Sequence, residues 1–342
     1  MKKVLITGVA GQDGTLMAKK LIDMGYQVFG GIRGRKNQLW RHKLVEMPTN
    51  LKLVHYVNGN LQLNLKLLDK YQFDEIYHFA GYSSAEDSFN NPREVIETNY
   101  FGVLELLEAV RLKSPITKIF IAGSSEIFGN NSECGAKYTE DSPINPSNFY
   151  GIAQASAKFT CDLYRYLYDL KIFYGILFNH ESYLRDEKFL TRKLAVGFSK
   201  LKNSEIDVIE IGNFESSRDW GSAIDFVSAM IKLMLTNSFG NYIFATEKSY
   251  SVKKLVAEFA KSFGYEPVFE TQGDHSVCLD KVTGKIIVKS SPKFIRKNES
   301  PGKVGSSEKL QNLIQVRLNK DLHDLIAEII HLDYIKSGST KY

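Results

Sequence analysis

Short apolar runs alternate with longer segments of helical spacing along the first half of the chain. The apolar runs predict six strands, at residues 4–6, 26–32, 51–57, 75–80, 118–122 and 172–177. Residues 15–22 and 95–112 carry apolar positions three and four apart, which is typical of amphipathic helices. Strands that alternate with helices form parallel βαβ units with right-handed crossovers. The pattern therefore predicts a doubly wound α/β fold whose ligands bind beyond the carboxyl ends of the strands.

The second half of the chain is less regular. Helical spacing recurs at residues 191–202, 223–235, 252–263 and 320–331, a short strand is predicted at 242–246, and the Lys/Ser/Gly-rich residues 296–308 are interpreted as a loop. We expect residues 1–178 with about 223–247 to form the parallel-sheet domain. The remainder, about 179–222 with 248–342, is expected to form a smaller α/β lobe over the strand ends.

Three glycines spaced three apart follow the first predicted strand and open the first predicted helix. They are Gly8, Gly11 and Gly14, within residues 7–14 (Thr-Gly-Val-Ala-Gly-Gln-Asp-Gly). Such glycines let the backbone turn tightly and approach a pyrophosphate, while the helix N-terminus offers free N–H groups to it. This pattern favours a dinucleotide site over a glycine-rich turn that binds no ligand.

The end of the second predicted strand indicates which dinucleotide is bound. An acidic residue there favours NAD, because it accepts a hydrogen bond from the ribose 2′-hydroxyl. This chain has Gly-Ile-Arg-Gly-Arg-Lys at residues 31–36. Arg33 and Arg35 suit a 2′-phosphate, so we predict NADP. A solvated basic loop or a contact between subunits is the alternative.

Composition and charge narrow the class of protein. The chain has 342 residues and a net charge of +5 that is spread along it, which suits an anionic small substrate and argues against nucleic acid. No apolar run approaches the roughly 18 residues of a membrane span, and the N-terminus leads directly into a strand rather than a signal peptide. Cys134, Cys161 and Cys278 lack disulfide or metal-ligand spacing. We expect a cytoplasmic protein with no metal site and no membrane partner.

Candidate acid–base residues follow the fifth predicted strand. Ser124 and Glu126 lie at its end, and Tyr150 begins the next helix. A tyrosine phenolate can take a proton from a sugar hydroxyl while a hydride leaves for the dinucleotide. Ser124 would hold that hydroxyl, and Glu126 would move a proton at the neighbouring carbon. The alternative is that Tyr150 is an ordinary half-buried helix residue.

These motifs resemble the extended short-chain dehydrogenase/reductases, and among them the GDP-mannose 4,6-dehydratase family. The matching segments are residues 7–14, 124–129 (Ser-Ser-Glu-Ile-Phe-Gly), 150–151 (Tyr-Gly), 175–182 (Gly-Ile-Leu-Phe-Asn-His-Glu-Ser), 189–193 (Phe-Leu-Thr-Arg-Lys) and 218–221 (Arg-Asp-Trp-Gly). They extend over almost the whole chain. The Gly-Gln-Asp-Gly and Asn-His-Glu-Ser segments are far more specific to this group than the glycine pattern alone.

The resemblance implies a role for each matching residue. Ser124, Glu126, Tyr150 and Gln154 would be catalytic, with Glu126 as the dehydration acid–base and Tyr150 as the oxidation base. The implied cofactor-binding residues are Gly8, Gly11, Gln12, Asp13, Gly14, Arg33, Arg35, Asn60, Leu61, Tyr150, Gln154 and His180. The implied substrate-binding residues are Ser83, Asn179, Lys193, Arg218, Arg296 and Glu299. The resemblance further implies a homo-oligomer, a dimer or tetramer, with residues 33–41 at a tetramer contact beside NADP.

Three positions depart from the family pattern. The family has Tyr-x-x-x-Lys, whose lysine binds the nicotinamide ribose and lowers the pKa of the tyrosine, but this chain has Gln154. Lys158 is two helical turns from Tyr150, roughly 12 Å along the axis, and does not obviously replace it. Asn60 replaces an aspartate near the adenine, with little loss expected because it keeps an acceptor. The family segment Arg-Pro-x-Glu is Arg-Lys-Asn-Glu at residues 296–299.

Gln154 leaves three interpretations open. In the first, the enzyme is active but slow, and the charge of NADP⁺ itself lowers the tyrosine pKa. In the second, the lysine was replaced deliberately to trap a substrate. In the third, the chain is a paralogue that binds a nucleotide sugar without converting it. We expect a GDP-sugar 4,6-dehydratase that acts on GDP-mannose or a GDP-manno-heptose. A reductase or epimerase of the same superfamily is the enzymatic alternative.

Overall fold

A computed structural model describes residues 1–33, 39–130, 137–272, 275–295 and 302–336 of the chain. Its strands are β1 Lys3–Thr7, β2 Gln27–Ile32, β3 Lys52–His55, β4 Glu75–His78, β5 Lys118–Ala122, β6 Ile172–Leu177, β7 Asn179–Glu181, β8 Ile209–Ile211, β9 Ser217–Arg218, β10 Trp220–Ser222, β11 Gly240–Phe244, β12 Tyr250–Ser251, β13 Pro267–Gln272, β14 His275–Asp280 and β15 Ile286–Ser290.

The α-helices lie between these strands and at the end of the described chain. They are α1 Gln12–Asp23, α2 Trp40–Leu44, α3 Leu61–Tyr71, α4 Ala85–Asn90, α5 Pro92–Ile96, α6 Gly102–Lys113, α7 Phe149–Tyr168, α8 Leu190–Lys202, α9 Ala223–Met234, α10 Val252–Ser262, α11 Glu308–Ile314 and α12 Leu322–Lys336. Within the described residues, no helix has both the length and the apolar character needed to cross a membrane.

The central sheet has seven strands in the order β3-β2-β1-β4-β5-β6-β11. All neighbouring strands pair in parallel. The strand order reverses between β1 and β4, which is where doubly wound sheets open a ligand crevice. The six strands predicted in the first half of the chain are confirmed. Those at 118–122 and 172–177 coincide with β5 and β6, and the strand expected at 242–246 starts earlier, at Gly240.

Side chains alternate between the two faces of this sheet, as a fully buried strand requires. Leu5 packs into one core with residues of α3, α6 and α7. Its neighbours Val4 and Ile6 pack into another core with residues of α1 and α9. Because helices cover both faces, the inner strands β4, β5 and β6 are buried along most of their length, whereas the edge strand β3 is largely exposed. The seven strand ends are thereby held at one edge of a rigid layer.

A second sheet, with strand order β13-β14-β15-β8, belongs to the second half of the chain. It packs with α8, α10 and α12 around a third core. The three helices were predicted, but β13, β14 and β15 were not, because their segments mix polar and apolar residues without a long apolar run. The proposed division of the chain into two domains stays a prediction.

The helix predicted over residues 95–112 is confirmed as a helical segment, but it is interrupted by a π turn that was not predicted. The segment is α5 Pro92–Ile96, a π-helical turn at Glu97–Phe101, and α6 Gly102–Lys113. In the π turn Asn99 is buried and exchanges two hydrogen bonds with the backbone of Tyr82, at 2.8 and 2.9 Å. A single wide turn barely changes the spacing of apolar residues, so the sequence pattern did not reveal it.

Candidate active site

A cavity opens at the carboxyl ends of β4, β5 and β6, beside the start of α1. Among the residues that line it are eight site residues predicted from the sequence: Asp13, Ser83, Ser124, Glu126, Tyr150, Gln154, Asn179 and His180. The predicted acid–base groups and part of the predicted ligand-binding set therefore meet in one place. Among the described residues, no group of three or more His, Cys, Asp or Glu side chains is arranged to hold a metal ion.

The glycine turn next to the cavity has the shape that a pyrophosphate requires. Gly8 has a φ of +69°, and a Cβ there would lie 2.7 Å from the carbonyl carbon of Phe79. A Cβ on Gly14 would lie 2.3 Å from the Gly8 carbonyl oxygen. Gly11 is the exposed N-cap of α1 and has no side chain to occupy the first N–H groups of the helix. An anion can therefore approach these groups directly, so the turn fits a dinucleotide.

Gln12 and Asp13 connect this turn to β7. Gln12 donates a hydrogen bond to the carbonyl oxygen of His180 at 3.1 Å and accepts one from Ser182 at 2.9 Å. The His180 Nε2 lies 2.9 Å from an Asp13 carboxylate oxygen. Burial opposes charge on both partners, but their attraction prevails, raising the pKa of His180 and lowering that of Asp13. The two therefore form an ion pair at the edge of the cavity.

Basic residues flank the glycine turn. Arg33 is exposed immediately after β2, whereas Arg35 lies outside the described residues. Arg41 was not predicted as a ligand-binding residue, yet its guanidinium donates a hydrogen bond to the Ala10 carbonyl oxygen at 3.2 Å, within the turn itself. Its Nε also bonds the Leu184 carbonyl oxygen at 2.7 Å. The surroundings of the turn are thus cationic.

Asn60 and Leu61, expected near the adenine, lie at the start of α3. Asn60 is the N-cap of this helix, and its Oδ1 accepts a hydrogen bond from the Leu63 N–H at 2.9 Å. Leu61 is the first residue of the helix. The acceptor that Asn60 keeps is therefore engaged in capping, as Asn commonly is at this position.

Ser124 ends the loop after β5 and begins a single 3₁₀ turn, Ser125–Phe128. The Ser124 Oγ accepts a hydrogen bond from the Glu126 N–H at 3.2 Å. This bond fixes the turn, so that Ser124 and Glu126 face the same cavity.

Two donors hold the Glu126 carboxylate. Asn148 donates to one oxygen at 2.8 Å, and the Lys303 ammonium donates to the other at 3.0 Å. Burial opposes charge on Glu126, but Lys303 and these hydrogen bonds outweigh it, and the pKa of Glu126 falls below its usual range. Glu126 is therefore a carboxylate in the resting site, able to accept a proton.

Tyr150 is buried in the first turn of α7. Burial raises the pKa of Tyr150 to about 12, the Glu126 charge adds to this rise, and polar contacts with Ser124 and Gln154 oppose it. Asn148 caps α7 through a 2.8 Å bond to the Gly151 N–H, and it also holds Glu126. A Cβ on Gly151 would lie 2.5 Å from the Glu126 carbonyl oxygen. The glycine thus permits α7 to start against the 3₁₀ turn, which brings Tyr150 beside Glu126.

Gln154 is buried one helical turn after Tyr150, and its backbone and side chain both contact Tyr174. The Tyr174 hydroxyl lies 2.8 Å from the Gln154 backbone carbonyl oxygen and 3.2 Å from its Oε1. Lys158 pairs with Asp162 at 2.9 Å, further along α7. Position 154 therefore brings no positive charge to Tyr150, and Lys158 is engaged elsewhere.

The other predicted substrate residues are dispersed. Ser83 and Asn179 line the cavity, but Lys193 and Arg218 are not among its lining residues. The Lys193 ammonium lies 3.3 Å from the centre of the Phe294 ring. Arg218, on β9, lies close enough to Glu126 to lower the pKa of its carboxyl. Arg296 and Glu299 lie outside the described residues.

Sequence reasoning missed several polar residues of the site. Asn148 carried a signal, since an Asn before a helix is a common N-cap, but its second contact with Glu126 is not visible in the sequence. Lys303 is 177 residues from its partner Glu126, so no local pattern connects them. Arg185 lines the cavity, and its charge acts to lower the pKa of Tyr150. It lies three residues after the Asn-His-Glu-Ser segment and was not singled out.

Comparison with known proteins matches the chain over nearly its full length. A family model described as GDP-mannose 4,6 dehydratase matches residues 5–329. The GDP-mannose 4,6 dehydratase of Cricetulus griseus is 30% identical over 344 residues, which cover 97% of this chain and 91% of that protein.

Solved structures share the fold at lower sequence identity. dTDP-glucose 4,6-dehydratase from Bacillus anthracis, in complex with NAD, has a TM-score of 0.78 and 17% identity, covering 99% of this chain and 98% of that chain. RMD from Pseudomonas aeruginosa, complexed with NADPH, has a TM-score of 0.75 and 16% identity, covering 97% and 98%. Both neighbours hold a nicotinamide dinucleotide, and they differ in which form they hold.

Proposed function

The chain belongs to the GDP-mannose 4,6 dehydratase family, and from this premise we propose that it converts a GDP-sugar to the 4-keto-6-deoxy sugar. The convergence of Ser124, Glu126, Tyr150 and Gln154 on one cavity beside the glycine turn is the observation that carries the proposal. A hydroxyl, a carboxylate and a phenol in one cleft are the groups that oxidation and dehydration of a sugar need.

The chain's own residues divide the proton transfers between them. Tyr150 accepts the proton of the sugar 4-hydroxyl, which Ser124 orients. Glu126 then removes the C5 proton, which the 4-keto group has made acidic, and gives it to the 6-hydroxyl, which leaves as water. C5 regains a proton at the end, and the proton that Tyr150 took from the 4-hydroxyl balances it. The glycine turn and its flanking cations would hold NADP, which when bound supplies the acceptor and later the donor of one hydride.

The choice of NADP rests on the cations beside the turn. Arg33 is exposed at the end of β2, and Arg41 contacts the turn itself. Arginine binds phosphate bidentately. The Arg33→Ala variant should therefore bind NADP at least tenfold more weakly and NAD unchanged, measured by titration calorimetry. Arg93→Ala is the matched control, because Arg93 is an exposed arginine paired with Glu97. Equal weakening for both dinucleotides would count against NADP.

The substrate class is a GDP-sugar with the manno configuration, either GDP-mannose or a GDP-manno-heptose. The protein with NADP⁺ is incubated with each, and mass spectrometry detects loss of one water. Glu126→Gln separates the enzymatic alternatives: it should abolish water loss but keep dinucleotide binding. An epimerase or reductase does not need this carboxylate, so unchanged turnover by that variant would favour one of them.

One observation favours a binding protein as the second candidate. The pKa of Tyr150 is raised to about 12 in a site where position 154 brings no cation. If GDP-sugar and NADP bind tightly and no product forms after long incubation, the chain is a nucleotide-sugar-binding member of the family.

We also propose a cytoplasmic homo-oligomer. Cys161 and Cys278 are free thiols buried in separate cores, as suits a reducing compartment. Along α7, large apolar side chains at helical spacing stay exposed: Ile152, Phe159, Leu163, Tyr166 and Leu167. Such a stripe on one long helix can pair with the same stripe of a second copy about a twofold axis.

A further inference from the structure

Lys303 reaches the active site from outside the segments that form the cavity. Its ammonium lies 3.0 Å from a Glu126 carboxylate oxygen. The Lys303 side chain is 5% exposed, whereas that of Glu126 is 30% exposed. Glu126 lines the cavity and Lys303 is not among the lining residues. The ammonium is therefore more deeply buried than the carboxylate that it contacts, and it does not line the cavity.

The segment that carries Lys303 is fixed on both sides of it. The backbone N–H of Tyr138 donates to the Val304 carbonyl oxygen at 2.8 Å, and the Tyr138 carbonyl oxygen accepts from the Ser306 N–H at 2.7 Å. The Gly305 N–H lies 3.4 Å from an Asp219 carboxylate oxygen. A Cβ on Gly305 would lie 2.6 Å from the Phe178 ring, so the backbone lies directly against the core. The backbone that carries Lys303 is thus held in place, and its side chain is almost fully buried.

Glu126 is surrounded by two cations, a neutral hydrogen-bond donor and the Tyr150 phenol. Lys303 and, from β9, Arg218 are positive and favour the carboxylate, whereas burial opposes it. Asn148 is neutral and donates to the second oxygen. Tyr150, from α7, faces the same group, and the charge of Glu126 raises the pKa of its phenol.

We propose that Lys303 is a positioning residue of this active site: its ammonium keeps Glu126 ionised and fixes one carboxylate oxygen, while Asn148 fixes the other. Glu126 then enters the reaction as a base aimed into the cavity, and Lys303 acts through it without touching substrate. This inference rests on the proposed role of Glu126 in water loss.

The test measures the protonation of Glu126 directly and the pH dependence of turnover separately. The carboxyl stretch that disappears in Glu126→Gln is followed by infrared difference spectroscopy during an acid titration of the ligand-free protein. In parallel, kcat/KM for water loss from GDP-mannose is measured against pH. The variants are Lys303→Met, Lys303→Gln and the charge-conserving Lys303→Arg. Lys309→Met is the matched control, because the Lys309 ammonium bonds the Asn241 carbonyl oxygen instead.

Removing the cation should raise the pKa of Glu126 by about one to three units. Lys303→Met and Lys303→Gln should therefore show the infrared transition and the acid limb of kcat/KM at higher pH. On that limb their activity should be at least tenfold below that of the wild type. Lys303→Arg should restore both readouts to within a few-fold, and Lys309→Met should change neither.

The inference is overturned if Glu126 titrates in the uncharged variants as it does in the wild type, even if their activity falls equally at every pH. Lys303→Gln retains a donor, so it decides the question if Lys303→Met does not fold. If the wild type removes water from neither GDP-mannose nor the GDP-manno-heptose, the proposed function fails, while the infrared titration still decides the role of Lys303.

Discussion

Tyr150, the proposed oxidation base, lies one helical turn before Gln154 on α7. Tyr150 is buried, and its pKa is raised to about 12. Gln154 offers it only a dipole and is itself held by the Tyr174 hydroxyl. Arg185 is the neighbouring charge that favours the phenolate. In the proposed mechanism all the acid–base groups are therefore present, and the first step, ionisation of Tyr150, is weakly driven.

Gln154→Lys should accelerate turnover at neutral pH. A cation one helical turn from Tyr150 lowers the phenol pKa by about one to three units, which increases the phenolate fraction at least about tenfold. The measurement is the pH dependence of kcat, together with ultraviolet detection of tyrosinate that is absent in Tyr150→Phe.

Gln154→Met is the matched control, because it has similar length and no charge. It should not accelerate the reaction at any pH. If Gln154→Lys is no faster and tyrosinate forms at the wild-type pH, position 154 does not limit ionisation of Tyr150.

The Asp13–His180 pair should make stability depend on pH. The raised pKa of His180 means that its contribution is complete below its ordinary value of about 6.5 and is lost as pH rises through the folded value. The lowered pKa of Asp13 means that its contribution is lost as pH falls through that lowered value. The stability gained from the pair is therefore largest in mildly acidic solution.

His180→Asn should accordingly lower the free energy of unfolding by about 2 kcal/mol near pH 6 and by less at pH 9. Urea unfolding of the ligand-free protein measures this difference. Lys19→Ala is the control, since its ion pair with Asp23 is exposed and contributes little at any pH. A difference that stays constant from pH 6 to pH 9 would contradict an ion pair.

At the scale of elements, sequence reasoning succeeded where the hydrophobic pattern is long and regular. β5 and β6 were predicted to the residue because both faces are buried. β13, β14 and β15 were missed because their segments mix polar and apolar residues without a long apolar run. The π turn was missed because it inserts one wide turn without changing composition. Lys303 was missed because its contact with Glu126 depends on tertiary packing alone.

The approach of α7 to the 3₁₀ turn gives a test at this scale. Gly151→Ala would introduce a Cβ 2.5 Å from the Glu126 carbonyl oxygen, so the start of α7 must move away. We expect kcat to fall at least tenfold while NADP affinity stays within a few-fold, because a misplaced acid–base group loses rate without losing the cofactor.

Gly240→Ala is the matched control, since the nearest atom to a Cβ there is 3.8 Å away. It should retain wild-type kcat. Wild-type kcat in Gly151→Ala would show that the contact between α7 and the turn does not position Tyr150.

At the scale of the whole molecule, the exposed stripe on α7 predicts the state of assembly. Leu163 is 56% exposed, Leu167 is 57% exposed and Tyr166 is 83% exposed. Leu163→Arg combined with Tyr166→Arg should convert the oligomer to a monomer, because like charges would face each other across a twofold axis. Light scattering coupled to size-exclusion chromatography measures the mass.

Val282→Arg is the control, because Val282 is 73% exposed on the turn between β14 and β15. It should keep the wild-type mass. A monomeric wild type, or an oligomer unaffected by the double change on α7, would contradict this interface.

The most direct test of the central claim follows one atom through the reaction. GDP-mannose carrying deuterium at C4 is incubated with the protein and NADP⁺, and the product is analysed by NMR and mass spectrometry. A 4,6-dehydratase predicts loss of one water and deuterium at C6 of the 4-keto-6-deoxy sugar. Deuterium that remains at C4, without loss of water, would contradict the account and indicate an epimerase or a protein that only binds the nucleotide sugar.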